Sequence, residues 1–124
     1  RVALDLTQEW AKVSDADMVM GCLVVSKAFA EADPQALRHF MTQYAVSADY
    51  CTSHPAEAAV FIEEFGIMGS AALAEKAIPN CNIACVTGEE MKKDLTGVYE
   101  VLFAANPKSI GGAMPGDDFY YIGK

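Results

Sequence analysis

The sequence predicts an α/β fold that is predominantly helical, with few short strands. Two X-Pro steps, Asp33-Pro34 and His54-Pro55, open helices, and the segments that follow them carry apolar residues at intervals of three and four. One β-favouring run, Met18 to Val25, interrupts the helical pattern.

In chain order, Thr7 is expected to cap a short helix that turns Trp10 and Val13 inward, and Ser14 to Asp17 ends it in a polar turn. Met18 to Val25 reads as a strand, because Val19, Leu23, Val24 and Val25 favour extended backbone and the run is apolar on both sides. A strand buried on both faces needs neighbours, and this sequence offers few of them. Asp33 as N-cap and Pro34 at the first helical position predict a helix over 34–52, with Leu37, Phe40, Met41, Tyr44, Ala48 and Cys51 on one face. It stops near Thr52, since Pro55 restricts His54. Pro55 opens a helix over 55–65 bearing Ala58, Phe61, Ile62 and Phe65, and Gly66 ends it. Ser70 caps a third helix that presents Leu73, Ala74, Ala77 and Ile78 and cannot pass Pro79. After a brief extended segment, Asn82 to Val86, the pattern Thr87-Gly-Glu-Glu90 reads as a capping box. It leads a helix over 88–105 that buries Met91, Leu95, Val98 and Leu102 and ends at Asn106-Pro107.

The remaining run, Asn106 to Tyr121, is too rich in Gly and Pro for a helix or a central strand. Its three adjacent rings, Phe119, Tyr120 and Tyr121, are expected to anchor the tail on the helical stripes. Pro107, Gly111, Gly112 and Pro115 would turn the chain back over the helices.

A chain of 124 residues holds one domain at most, with a modest core. Its 52% apolar and 21% charged composition is that of a globular segment rather than a disordered one. Met18 to Ser26, the longest uncharged apolar stretch, falls short of the ~20 residues a bilayer requires. Net charge is −8, and the basic residues form no stripe, which argues against nucleic acid as a partner. Small anions stay compatible with this balance, because backbone amides can bind them.

The four cysteines, Cys22, Cys51, Cys81 and Cys85, form no CxxC, and His39 and His54 are not at metal-site spacing to them. No metal and no cofactor are expected. Cys22 and Cys85 sit in apolar runs and read as buried thiols, while a disulfide through Cys81 stays open. Gly111-Gly112 lacks the Lys-Ser/Thr of a phosphate loop, and adjacent Asp117 and Asp118 do not face each other across a cleft. No nucleophile-and-base arrangement can be argued, so no catalytic residue is assigned. Gly21, between Met20 and Cys22, reads either as a small residue under a close backbone neighbour or as part of a ligand contact.

The tail Asn106 to Tyr121, the run Met20-Gly-Cys-Leu-Val-Val-Ser-Lys-Ala-Phe29, Asp33-Pro34 and Ile78-Pro-Asn-Cys81 together resemble the C-terminal part of solute-binding proteins of bacterial ABC importers. The likeness is to the type II periplasmic-binding-protein group that includes the nitrate, sulfonate and thiamine-precursor binders. It implies a two-lobed α/β fold. Residues 1–17 would end one lobe, 18–27 would be a crossing strand, and 28–124 would supply the C-terminal helices and tail of the other lobe. It further implies an extracytoplasmic protein, periplasmic or anchored as a lipoprotein. Such a protein captures a small-molecule ligand, delivers it to the ABC transporter membrane subunits for transport, and has no enzymatic activity. Met20, Gly21 and Cys22 would contact the ligand.

Members of that group are far longer, so the chain is expected to be a C-terminal segment, to which a start at Arg1 conforms. Alone, its apolar faces would drive it to a homodimer or an exchange of elements. Two alternatives stand beside this reading. One is an enzyme on the same scaffold, similar to the thiamine-pyrimidine synthases; the other is an independent helical interaction domain.

Overall fold

The computed structural model describes residues 3–123. Among the described residues the regular structure is entirely helical, with no strand. The chain divides into two compact units: Val25 to Cys85, and the residues up to Val24 together with those from Val86 onward. The polypeptide therefore passes between units twice, at Val24–Val25 and at Cys85–Val86.

The continuous unit opens with α1 (Lys27–Ala32), whose first turn is capped by the Ser26 hydroxyl accepting the Phe29 N–H at 3.2 Å. Asp33 closes this helix and caps the next, α2 (Pro34–Ser53), by accepting the Ala36 N–H at 2.9 Å. The helix ends where expected: His54 leaves the α region at φ −130°, ψ 59°, as a residue before proline must, and α3 (Pro55–Glu64) follows. A loop leads to α4 (Ala71–Ala77), continued by a 3₁₀ turn over Ile78–Asn80. Ser70 precedes α4, but its hydroxyl does not cap it; the Glu63 carboxylate accepts the Ala71 N–H at 3.0 Å instead. An acidic group on a helix start is favourable by both hydrogen bond and dipole.

The core of this unit is Ala58, Ala59, Ala74 and Ile78, with Cys51, Ile62, Ala71 and Ile83 packed against it. Alanine on both facing helices lets the two backbones approach closely, which is why so small a set can be buried. Leu37 joins the buried residues, but Phe40, Phe61, Phe65 and Leu73 are each half or more exposed. The stripes read from the sequence are real, and much of their apolar surface stays uncovered.

In the discontinuous unit a one-turn helix, Leu6–Trp10, precedes the connection, and the long helix α5 (Gly88–Ala105) follows it. Asp5, not Thr7, caps the first of these, with its carboxylate accepting the Thr7 and Gln8 N–H groups. The capping box at Thr87 does not form, since the Thr87 side chain makes no capping bond and the helix starts on Gly88 at φ +67°. Beyond α5, a 3₁₀ turn over Pro107–Ile110 stops at Gly111, whose φ of 84° suits glycine, and a second spans Asp117–Phe119.

Met18 to Val25 corrects the strand expectation: it belongs to no regular element, and Met20, Leu23 and Val24 are all more than half exposed. Asn82 to Val86 likewise forms no strand. β propensity describes how a side chain sits on a pleated surface; without a second strand among the described residues there is no ladder to join. The tail expectation is corrected as well. Tyr120 is the buried ring, 9% exposed, whereas Phe119 is 57% exposed and Tyr121 half-buried.

Within this unit a methyl group on Gly97 of α5 would lie 2.7 Å from the Ala16 Cβ, far inside contact distance. Gly97→Ala is expected to destabilise the protein by about 1–3 kcal/mol despite alanine's better helix propensity. Gly69→Ala, where nothing lies within 4 Å, is the matched control. Equal unfolding midpoints for the two variants would show that the contact is not tight.

Candidate functional site

The candidate site grows from the turn Ser14 to Asp17. The Ala16 carbonyl accepts the Trp10 indole N–H at 2.6 Å, and the Ser14 hydroxyl accepts the Ala16 N–H at 3.1 Å. From α5, the Lys93 ammonium donates to the Asp15 carbonyl at 3.1 Å. The Asp94 carboxylate, only 5% exposed, accepts the Asp17 N–H at 3.0 Å. A buried carboxylate needs such a donor, and a charge-assisted bond of this kind is worth about 1.5–3 kcal/mol. With Ala16 seated on Gly97, the turn is clamped to α5 immediately before the segment that carries Met20, Gly21 and Cys22.

Farther along α5, Tyr99, Phe119 and Tyr120 form an aromatic cluster. Phe119 makes T-shaped pairs with Tyr99, centroids 6.2 Å apart, and with Tyr120 at 5.4 Å. The Lys92 ammonium pairs with Asp117 at 2.9 Å and lies 5.8 Å from the Tyr120 ring centroid, while the Thr96 hydroxyl meets the Tyr120 hydroxyl at 3.4 Å. The hydrogen bond to Asp117 holds the Lys92 pKa above its ordinary value. The Tyr99 phenol is also pushed up, first by burial and then by Cys22 and Tyr120.

Of the site residues read from the sequence, Met20 is 82% exposed. Gly21 has nothing within 4 Å of where a Cβ would stand, so packing within the described residues does not require glycine there. All four cysteines are free thiols. Cys22, expected to be buried, is exposed, Cys81 is exposed, and Cys51 and Cys85 are half-buried. Among the described residues no group of acidic, histidine or cysteine side chains could hold a metal, and no helix is long and apolar enough to cross a membrane. An open groove of about 450 Å³ runs along α5, lined by Ser14, Asp15, Lys92, Lys93, Thr96 and Glu100 among others.

Sequence reasoning missed Asp94, Lys92 and Tyr99. Tyr99 could have been found, since it lies one turn beyond Leu95 and next to Val98, on the border of the apolar stripe. Asp94 carried no signal, because its partner lies 77 residues away.

A family model described as menaquinone biosynthesis matches residues 1–82. No curated protein and no solved structure matches the chain. The family match overturns the solute-binding-protein resemblance, and with it solute capture for an ABC importer, transport as the role, and the expectation that the protein is not an enzyme.

Proposed function

Since the chain belongs to the menaquinone-biosynthesis family, we propose that it is part of an enzyme acting on a small-molecule precursor of menaquinone. The family match is the observation that carries this reading. It agrees with the alternative of an enzyme on a two-lobed α/β scaffold, and that scaffold is part of the proposal. Two compact units joined by two passages of the chain support it.

Met20, Gly21 and Cys22 are proposed to contact the ligand. The support is local. The turn before them is clamped, so the segment leaves α5 from a defined point, and Gly21 is free of any packing demand that would explain it otherwise.

Deleting the coding gene in its source organism is expected to abolish cellular menaquinone, with restoration by the wild-type gene. Undiminished menaquinone in the deletion strain would sink the reading. Gly21→Val is expected to leave the thermal midpoint nearly unchanged, because nothing lies within 4 Å of where its Cβ would stand. Complementation or turnover should fall on the order of ten- to a hundredfold, the scale on which misplaced ligands lose reactivity. Unchanged turnover by Gly21→Val would remove this segment from the site.

A further inference from the structure

We infer that Asp94 is a positioning residue: its buried carboxylate, by holding the Asp17 N–H, fixes where the Met20-Gly21-Cys22 segment leaves α5. This rests on the enzymatic reading, with that segment at the ligand, and adds a residue that acts on the segment without touching the ligand.

Among the described residues Asp94 is the one buried charged group, 5% exposed and well inside α5. The helix itself has no use for it. Aspartate is a weak helix former, and the position lies beyond the first turn, where a negative charge gains from the helix dipole. Its chain neighbour Leu95 is buried too. Burying a charge opposes folding, and an apolar side chain of similar volume is often neutral or better at such a position. What Asp94 does that an apolar residue cannot is accept the Asp17 N–H, at 3.0 Å. Asp17 is exposed, with water at hand for its polar groups, so the bond is not needed to satisfy it. The bond decides where that amide lies.

The chain beyond Asp17 makes that placement matter. Among the described residues no backbone hydrogen bond involves 18–25, so the Asp17 amide is the last backbone group held before Met20. Three residues of chain reach at most ~11 Å, and a turn that lifts off α5 carries Met20 and Gly21 with it. The other ties from this turn to α5 are Lys93, donating to the Asp15 carbonyl, and the seat of Ala16 on Gly97. Both lie upstream of Asp17. All of these residues belong to the same compact unit.

The test pairs amide hydrogen exchange of the full-length protein with menaquinone levels in the deletion strain carrying each variant at matched protein level. Asp94→Leu should speed exchange at Asp17 roughly ten- to a hundredfold, the loss of one charge-assisted bond. It should lower menaquinone about tenfold or more, with the thermal midpoint close to wild type. Asp94→Asn keeps an acceptor oxygen of the same reach and should restore slow exchange and most of the menaquinone. Lys93→Met, at an exposed position that folding does not depend on, should loosen the turn about threefold and lower menaquinone in step. Full menaquinone with Asp94→Leu or Lys93→Met despite faster exchange overturns the inference. So do unchanged exchange in Asp94→Leu and an Asp94→Asn that fails as badly as Asp94→Leu. A menaquinone loss no larger than that of an equally destabilised variant elsewhere, such as Ile78→Ala, would reduce Asp94 to a structural residue. The enzymatic reading fails separately. Undiminished menaquinone in the deletion strain discards the enzyme, whereas loss on deletion that Asp94→Leu fully restores discards the positioning role and keeps the enzyme.

Discussion

Tyr120→Ala is expected to destabilise the protein by about 3–5 kcal/mol, while Phe119→Ala costs about 1 kcal/mol. The two rings are chain neighbours of nearly equal size, so the contrast isolates burial. Tyr120 is 9% exposed, lies under the Lys92 ammonium, and meets the Thr96 hydroxyl. Removing it leaves a cavity on α5, strips a partner from Thr96, and frees the turn that Asp117 and Lys92 close. Phe119 loses only two edge contacts. Urea unfolding of both variants decides the matter, and limited proteolysis should show cleavage within 107–123 for Tyr120→Ala alone. Equal losses, or a larger one for Phe119, would mean that the tail is anchored differently.

Ile78→Ala should cost about 2–5 kcal/mol in the continuous unit, the usual range for a buried Ile truncated to Ala. Its core otherwise consists largely of alanine, with Ala58, Ala59 and Ala74 around Ile78 at 4% exposure. Short side chains cannot swing into the space a missing sec-butyl group leaves, so the cavity should persist. Ile78→Val removes one methylene and should lose about 0.5–1.5 kcal/mol. Chemical denaturation with a hydrogen-exchange readout over α3 and α4 measures both. A loss below 1 kcal/mol for Ile78→Ala would show that Ile78 does not seal the contact between them.

Helices were legible wherever the signal was local. Ranges of 34–52, 55–65 and 88–105 compare with Pro34–Ser53, Pro55–Glu64 and Gly88–Ala105, because proline and stripe periodicity act over a few residues. Caps were less legible, since the partner can come from elsewhere: Glu63 serves the start of α4 from eight positions upstream. Met18 to Val25 failed as a strand for the same reason at longer range, because its residues specify a tendency and the ladder depends on a neighbour.

The misassigned role has a related cause. Asp33-Pro34 turned out to be a helix start, Ile78-Pro79-Asn80 a 3₁₀ turn, and the aromatic tail a packing anchor. Residues of this kind describe a scaffold, and a scaffold does not determine its chemistry.

The bond from Asp17 to Asp94 ties together positions 77 apart. Closing a loop of that length opposes folding by about 4 kcal/mol of chain entropy. Val25 to Cys85, whose contacts stay within one continuous stretch, carries no such burden. On a ribosome the difference becomes a matter of timing. At roughly 5–20 residues per second, several seconds separate the emergence of the Ser14–Asp17 turn from that of Lys93 and Asp94. The first-made part of the site is thus the last to be assembled, and throughout that interval the Asp17 N–H waits for a carboxylate that has not yet been synthesised.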